Sequence, residues 1–372
     1  MDGEWPRVDR RPPARPWGPL ALLLLLVLLL ASWGTTGCSP GRVLAGAMLK
    51  APNTYPGWLA PPARVSLRLP QALLTNLPVE RVDVGPPPAR LWVGLVPPGD
   101  YQARLASTSR QRGRRQEFSF SMHAAFPPGP LDEARTMTTT RTTTRTSTMT
   151  NTGRGTVFLL HGYGVDSLSM LPWAVTVAEA GYQGVLVDLR GHGESTGRQV
   201  GFGTVEASDL SQVLDHLTRL GKARGPVAVM GESFGAALAL RWAATDPRIA
   251  AVVALAPYAE LESAILGVRD DYAAGLPRGW VRAAARRLPA LLDVPPESLD
   301  TSSVMDGLTT PVLLIAAGHD GIAPPPGVGR LARLCAGPVK YLVLPSAYHE
   351  SLPYHFQELE AFVLTWLETY CL

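Results

Sequence analysis

The chain has few of the features that mark nucleic-acid-binding or metal-binding proteins. Lysine is nearly absent, with Lys50, Lys222 and Lys340 as its only members, so the net charge of +3 rests on arginine. No basic groove interleaved with aromatic residues is evident, so a nucleic-acid partner is not expected. No CxxC, HExxH or clustered His/Cys spacing is present, and we therefore expect no bound metal ion.

Cysteine is also scarce. The chain has 3 cysteines, and Cys38 lies close to the N-terminus, which leaves Cys335 and Cys371 for the folded part. In an exported protein these two could form a disulfide, but nothing in the sequence requires one. We expect two unpaired, partly buried thiols.

The apolar run near the N-terminus is too short for a comfortable membrane span. LALLLLLVLLLA covers residues 20–31, whereas a spanning helix needs about 20 apolar residues. The run follows a leader containing four arginines, Arg7, Arg10, Arg11 and Arg15. A short apolar core after a basic leader is typical of a signal peptide, which we assign to residues 1–37.

The residues that follow, SWGTTGCSP, resemble the cleavage box of bacterial lipoproteins, although Thr35 stands where leucine is usual. This resemblance implies a lipid on Cys38, which would become the first mature residue. It also implies export to the cell envelope, with the protein anchored to the outer membrane or facing the periplasm. A plain secretory signal and an uncleaved anchor are the alternatives.

Composition divides the rest of the chain into four parts. Residues 38–63 are rich in Gly, Pro and Ala and are predicted to be a tether. Residues 64–135 contain short alternating runs typical of antiparallel strands, which open a larger sheet or form an accessory β region. Residues 136–153 are a Thr/Arg tract without apolar positions and are predicted to be a disordered linker; a glycosylated or surface-binding segment is the alternative. Residues 154–372 are predicted to form the main folded domain.

In this domain, short β-branched apolar runs alternate with helical patterns. The runs are TVFLL, YQGVLVDL, PVAVMG, IAAVVALA, PVLLIAAG and VKYLVLP. Strands that are apolar on both faces and separated by helices predict an α/β fold with a mostly parallel sheet. In such sheets functional residues lie at the carboxyl ends of the strands.

The stretch VAVMGESFGAALAL carries a Gly-x-Ser-x-Gly pentapeptide between a strand and a helix. In a tight strand-to-helix turn, Ser233 would be strained and its hydroxyl exposed, while Gly231 and Gly235 would avoid a clash. A glycine-punctuated loop is the alternative. The strand before the motif and the helix after it favour a nucleophile elbow.

A serine nucleophile needs a base and an acid that orients the base. His349 follows the strand KYLVLP, and Asp320 follows PVLLIAAG, which gives the order Ser233, Asp320, His349. His355 is the rival base, but it falls in a helical run, and we interpret it as a surface residue.

An oxyanion hole is predicted from two backbone N–H groups, those of Tyr163 after the strand TVFLL and of Phe234 after the nucleophile. His161 is interpreted as bracing its loop. DLRGHGES also gathers residues that are common in catalytic sites, but no second serine elbow requires them. We interpret them as loop-anchoring residues, namely Asp188, Arg190, His192 and Ser195.

The motifs LLHGYG, DLRGHGES, GESFG and GHDGIAP, together with the late His349, resemble the α/β-hydrolase superfamily. The resemblance is strongest to monoacylglycerol-lipase-like and serine-aminopeptidase-like hydrolases, and it covers residues 155–370. It implies an α/β-hydrolase fold with helices on both faces of the sheet, an antiparallel region at its start, and no cofactor. Residues 258–305 would form a helical cap that sets substrate choice.

Three classes of function follow from these observations. The first is a serine hydrolase that cleaves a small-molecule acyl ester, thioester or amide through an acyl-enzyme. The second is an acyltransferase or aminopeptidase on the same triad. The third is a non-catalytic envelope-binding protein on a hydrolase scaffold, which would usually have lost a triad residue. Ser233 disfavours the dehalogenase and epoxide-hydrolase chemistry of this fold, which uses an aspartate nucleophile.

Overall fold

The structure, a computed structural model, describes residues 40–54, 65–112, 115–124 and 154–371. The predicted signal peptide, Cys38 and the predicted Thr/Arg linker lie outside the described residues.

Eleven strands and eleven α-helices are formed by the described residues. The strands are β1 (Val65–Arg68), β2 (Val79–Val84), β3 (Ala89–Val96), β4 (Arg104–Arg112), β5 (Arg115–His123), β6 (Thr156–Leu160), β7 (Gln183–Val187), β8 (Val227–Glu232), β9 (Ile249–Leu255), β10 (Val312–His319) and β11 (Val339–Tyr348). The helices are α1 (Pro40–Leu49), α2 (Gln71–Thr75), α3 (Leu171–Glu179), α4 (Glu206–Arg219), α5 (Phe234–Thr245), α6 (Leu261–Tyr272), α7 (Arg278–Ala285), α8 (Leu288–Leu292), α9 (Ser302–Met305), α10 (Pro325–Leu334) and α11 (Phe356–Tyr370).

The main sheet has eight strands in the order β11-β10-β9-β8-β6-β7-β3-β2. The six strands from β11 to β7 in this order run parallel. Strands β3 and β2 close the other edge as antiparallel neighbours. Every residue of β6 and β8 is buried, because helices cover both faces of a parallel sheet. This architecture confirms the predicted fold class.

The N-terminal β region takes both of the arrangements that its sequence allows. Strands β2 and β3 extend the main sheet, whereas β1, β5 and β4 form a separate three-stranded sheet. In the small sheet β4 and β5 are antiparallel, but β1 runs parallel to β5, unlike the antiparallel pairing expected. The ring of Phe120 lies 5.2 Å from that of Tyr354 and 5.5 Å from that of Phe356, which attaches the small sheet to the start of α11 and the segment before it.

Part of the predicted tether is folded, which corrects that assignment. Residues Pro40–Leu49 form α1, which packs on α7. The approach is close, since a Cβ added at Gly41 would lie 3.1 Å from Cβ of Ala283. The small residues that suggested a flexible tether instead allow two helices to pack closely. After α1, the Ala51 N–H donates a hydrogen bond of 3.1 Å to the carbonyl of Arg198.

Helices α6 to α9 fill the predicted cap, residues 258–305, between β9 and β10. Residues 280–292 are divided between α7 and α8, with Pro289 in the first turn of α8, because proline cannot continue a helix. Arg282 and Arg286 pair with Glu262 of α6 at 3.2 and 2.8 Å, and their side chains are 45% and 67% exposed. These arginines therefore form a solvated face.

Aromatic and aliphatic side chains join the helices to the sheet. Trp173 of α3 stacks on Phe356 of α11 with ring centroids 4.3 Å apart, and its indole N–H donates to the carbonyl of Pro353 at 2.7 Å. The apolar face of α4 is buried along its length, namely Leu210, Val213, Leu214 and Leu217. In α11 Leu359, Val363 and Trp366 are buried, but Phe362 is exposed.

Both cysteines in the described part of the chain, Cys335 and Cys371, are free thiols, as expected. Burial raises the pKa of the Cys371 thiol to about 12. Over the described ranges, none of the helices combines the length and the apolar character needed to cross a membrane.

Candidate active site

Ser233 occupies a strained turn between β8 and α5. Its backbone has φ 52° and ψ −112°, a conformation that non-glycine residues rarely adopt. A Cβ added at Gly231 would collide with the carbonyl of Gly235, and one added at Gly235 would collide with the carbonyl of Leu160. The Ser233 N–H donates to the carbonyl of Leu255 in β9 at 2.8 Å. The two glycines and this hydrogen bond hold the elbow in place.

The structure brings Ser233, His349 and Asp320 together at the carboxyl ends of β8, β11 and β10. His349 Nε2 lies 2.8 Å from Ser233 Oγ, and His349 Nδ1 lies 2.7 Å from Asp320 Oδ2. The other carboxylate oxygen of Asp320 accepts from the N–H groups of Ile322 at 2.8 Å and Ala323 at 2.7 Å. These backbone donors fix the carboxylate, which in turn orients the imidazole.

The imidazole of His349 is buried beside negative charge. Burial alone would lower its pKa, but the charge and hydrogen bond of Asp320 outweigh burial and raise the pKa above its usual value. Glu232 and Asp271 act in the same direction. The site therefore favours the imidazolium that forms when His349 accepts a proton.

Both predicted oxyanion donors belong to segments that adjoin Ser233. A Cβ added at Gly162 would lie 3.6 Å from Cβ of Ser233, so the loop after β6 passes over the nucleophile just before Tyr163. Phe234 is the first residue of α5, and its N–H has no acceptor one turn earlier in the helix. The hydroxyl of Tyr163 donates to the carbonyl of Met48 in α1 at 3.3 Å, which connects this loop to the N-terminal helix.

His161 braces the loop after β6, as predicted, and is fully buried. Its Nε2 accepts from the N–H of Leu189 at 2.9 Å, so Nδ1 carries the proton and donates to the carbonyl of Gly162 at 2.7 Å. Burial lowers the pKa of His161, which keeps the imidazole neutral. Burial also lowers the pKa of His192 to about 3, and the nearby His161 contributes.

The residues of DLRGHGES anchor the loop after β7. Asp188 Oδ1 accepts from the N–H and the hydroxyl of Ser167 at 2.9 and 2.6 Å, and Ser195 donates its hydroxyl to the carbonyl of Asp188 at 2.6 Å. Arg190 forms an ion pair of 2.7 Å with Asp209 of α4, and both side chains are almost fully buried. These contacts confirm the loop-anchoring interpretation.

His355 immediately precedes α11 rather than lying inside it. Its Nδ1 lies 3.4 Å from a carboxylate oxygen of Glu358, and its Nε2 lies 3.3 Å from the hydroxyl of Ser351. It does not contact Ser233. The parts of the chain that the structure describes contain no group of three or more His, Cys, Asp or Glu side chains arranged to hold a metal ion.

Glu232, the residue before the nucleophile, is a part of the site that the sequence motifs do not indicate. It is the last residue of β8, its exposed fraction is 9%, and its Oε2 atom is buried with no hydrogen-bond partner in the described structure. Burial raises the pKa of Glu232 to about 7. The sequence signal that could have identified Glu232 is its position at the end of a fully buried strand.

Four apolar or aromatic residues lie at the base of the cap. Tyr258, Leu261 and Leu266 are buried, and Ile265 is half-buried. Tyr258 and Leu261 belong to the core that continues below the sheet ends. Only part of this apolar surface can therefore contact a substrate without a movement of the cap.

Residues 151–304 match the family described as "Serine aminopeptidase, S33". The matched segment includes Ser233 and both predicted oxyanion donors, and it ends before Asp320 and His349.

Two curated relatives are uncharacterized proteins. Protein Rv2307c of Mycobacterium tuberculosis is 33% identical over 194 residues, which are 52% of this chain and 62% of the relative. Protein YqkD of Bacillus subtilis is 32% identical over 88 residues, which are 24% of this chain and 29% of the relative. The chain thus spans less than two thirds of the length of each.

Among solved structures, the esterase PF2001 of Pyrococcus furiosus is similar, with a TM-score of 0.54 and 19% identity over 84% of this chain and 98% of the esterase. At 19% sequence identity, this similarity shows a shared fold and carries no conclusion about activity. The strand order, the elbow geometry and the family match agree with one another. The chain therefore has an α/β-hydrolase fold, and its residues 151–304 match the family described as serine aminopeptidase S33.

Proposed function

We propose that the protein is a serine hydrolase that cleaves carboxylic esters through a covalent acyl-enzyme. The observation that carries this proposal is that one imidazole bonds both Ser233 Oγ at 2.8 Å and the Asp320 carboxylate at 2.7 Å. A serine hydroxyl becomes a good nucleophile when an oriented base accepts its proton.

In the acylation step, Ser233 Oγ attacks the ester carbonyl carbon while its proton passes to His349 Nε2. The carbonyl oxygen becomes an oxyanion, which the N–H groups of Tyr163 and Phe234 stabilise. The intermediate collapses by breaking the bond between the carbonyl carbon and the alkoxy oxygen. The leaving alcohol takes the proton from His349, and the acyl group remains on Ser233.

In the deacylation step, His349 Nε2 accepts a proton from an attacking water, and the hydroxide adds to the acyl carbon. Collapse of the second tetrahedral intermediate releases the carboxylic acid, and Ser233 Oγ regains the proton from His349. The Asp320 carboxylate stabilises the imidazolium in both steps.

We propose small or medium uncharged acyl esters as the substrate class. The buried apolar residues below the cap support this proposal, since an apolar surface disfavours charged groups that must lose their hydration. The arginines Arg282 and Arg286 are paired with Glu262 and solvated, so they are not free to bind a substrate carboxylate.

The test is hydrolysis of p-nitrophenyl esters of increasing acyl length. Wild-type enzyme should cleave them, and alanine at Ser233, His349 or Asp320 should each lower kcat by about a thousandfold or more, with little further loss when combined, because the three act as a unit. Ser346→Ala, at an exposed serine of β11, is the matched control and should keep full activity. Ordinary esterase activity in Ser233→Ala would contradict the proposal.

An aminopeptidase is the second candidate, because the matched family is described as serine aminopeptidase. Aminoacyl-p-nitroanilides, compared with the esters relative to their spontaneous rates, distinguish the two candidates. Faster enzymatic cleavage of the anilides would favour the aminopeptidase and overturn the ester preference.

We also propose that Cys38 carries a lipid that holds the protein in the cell envelope. The lipoprotein-like segment SWGTTGCSP supports this proposal. Ser39 alone separates Cys38 from the first residue of α1. A lipid at Cys38 would therefore keep α1, and the cap on which it packs, near the membrane surface.

A further inference from the structure

The carboxyl group of Glu232, next to the nucleophile, is buried, and its Oε2 atom has no hydrogen-bond partner in the described structure. Glu232 is nine-tenths buried, and no described lysine or arginine forms an ion pair with it. A buried carboxylate is normally paired or hydrogen-bonded, because removing its hydration costs several kcal/mol. Glu350, which follows His349, shows the usual arrangement, since it accepts a hydrogen bond from the Tyr272 hydroxyl.

The geometry of the nucleophile elbow does not require a glutamate at position 232. The turn needs small residues at Gly231 and Gly235, where a side chain would collide with the backbone, but it sets no such limit at position 232. The Glu232 side chain lies against the loop after β6, because a Cβ added at Gly162 would be 3.8 Å from its carboxyl carbon. A neutral side chain of the same size would fill that space without the desolvation cost.

The ionisable groups that face Glu232 come from the segment after β11. His349 favours the ionised carboxylate, and Glu350 opposes it. Tyr354, in the 3₁₀ helix before α11, is fully buried, and the charge of Glu232 helps to raise its phenol pKa. His349 is therefore the one positive group among those that act on this carboxyl in the described structure.

His349 is faced in turn by carboxylates from three elements. Asp320 follows β10, Asp271 lies near the end of α6, and Glu232 ends β8. Asp320 orients the ring through its hydrogen bond and stabilises its charge, whereas Glu232 makes no hydrogen bond to it. The effect of Glu232 on His349 is accordingly one of charge through a buried medium, where charges interact strongly.

We propose that Glu232 is a positioning residue that acts through His349. The ionised Glu232 carboxylate stabilises the imidazolium of His349, and protonation of Glu232 removes this stabilisation. The proposal rests on the proposed hydrolase function. Burial raises the pKa of Glu232 to about 7, so its charge changes near neutral pH. Because the two groups interact, they titrate as a coupled pair, and activity should depend on both ionisations.

The direction of the effect follows from the charges. His349 must be neutral to accept the Ser233 proton, and kcat/KM therefore falls as pH drops through its pKa. Removing the negative charge of Glu232 lowers the pKa of His349, which moves this acid limb to lower pH. The same change removes a charge that stabilises the imidazolium in the transition state. The plateau value of kcat/KM, reached at pH values above the pKa of His349, should therefore fall by about three- to tenfold.

The experiment compares wild-type enzyme with Glu232→Gln, which keeps the shape and removes the charge. Glu297→Gln removes an exposed carboxylate of the cap and is the matched control. The pH profile of kcat/KM for a p-nitrophenyl ester should shift to lower pH, with a lower plateau, in Glu232→Gln only. Glu232→Asp, which restores a carboxylate, should recover part of the plateau. An unchanged acid limb in folded Glu232→Gln overturns the proposal.

A second measurement does not depend on turnover or on a variant. In wild-type protein labelled with ¹³C-glutamate and ¹⁵N-histidine, one carboxyl signal should titrate near neutral pH, and the His349 ring signal should respond over the same range. If every glutamate titrates in the ordinary acidic range, the proposal fails. If this coupling is present but all esters and anilides remain intact, the proposed hydrolase function fails while the coupling stands.

Discussion

At the scale of single residues, the nucleophile elbow depends on the absence of side chains at Gly231 and Gly235. Gly235→Ala should be strongly destabilising, because the added Cβ would collide with the backbone carbonyls of Leu160 and His161, which cannot move without distorting β6. Overpacking of this kind typically costs about 1–3 kcal/mol or more. Thermal unfolding of the purified variant measures the loss.

Gly279→Ala is the matched control for this substitution. Gly279 lies in α7, nothing is within 4 Å of a Cβ built there, and its φ is not positive. Alanine at such a position raises stability by about 0.4–1 kcal/mol by restricting the unfolded chain. Equal thermal-unfolding midpoints for Gly235→Ala and Gly279→Ala would contradict the steric explanation of the two glycines in the elbow.

At the scale of structural elements, the segment 40–54 is attached to the loop after β7. Asn53 makes three hydrogen bonds to this loop. Its side-chain amide donates to the carbonyls of Ser195 at 2.7 Å and Gly193 at 3.3 Å. Its backbone N–H donates to the carbonyl of Gly191 at 3.1 Å. Asn53→Ala removes the two side-chain bonds. It should cost about 1–2 kcal/mol and increase proteolytic cleavage in this segment.

Gln357→Ala, at an exposed position in α11, is the control for Asn53→Ala and should leave both measurements unchanged. An Asn53→Ala protein that unfolds and resists protease as wild type does would show that the two side-chain hydrogen bonds of Asn53 do not stabilise the segment.

The same scale shows what sequence patterns predict well and what they miss. The inner parallel strands, β6 to β10, are predictable, because burial on both faces demands continuous apolar runs. Strand β2, VERVDV, gives a weaker signal because it is an edge strand with three charged residues, and only Val82 and Val84 are buried. Helix α1 was missed because its stability comes from contacts with a cap helix more than 200 residues away along the chain.

Within the site, the limits of prediction have the same origin. Ser233, Asp320 and His349 are recognisable because each follows a recognisable strand, and strand ends of a parallel sheet converge. The missing hydrogen-bond partner of Glu232 Oε2 and the hydrogen bond from Tyr163 to Met48 depend on how separate segments pack, which no local pattern encodes.

At the scale of the whole molecule, the proposed anchor decides where the enzyme works. Cys38→Ser should release the protein from the membrane fraction into the soluble fraction, because the acyl chains would provide the attachment. Cys335→Ser, which changes a free thiol of the folded domain, is the control and should stay in the membrane fraction. An unmodified mature N-terminus at another residue would rule out lipidation.

The central claim is that Ser233 is the nucleophile of a covalent mechanism, and active-site labelling tests it most directly. Purified protein is incubated with a fluorophosphonate, and the labelled residue is identified by mass spectrometry. The account predicts one label per chain, on Ser233, with none on Ser233→Ala and a much slower reaction for His349→Ala. Labelling of Ser233→Ala to the wild-type extent, or a folded wild-type protein that takes up no label, would contradict it.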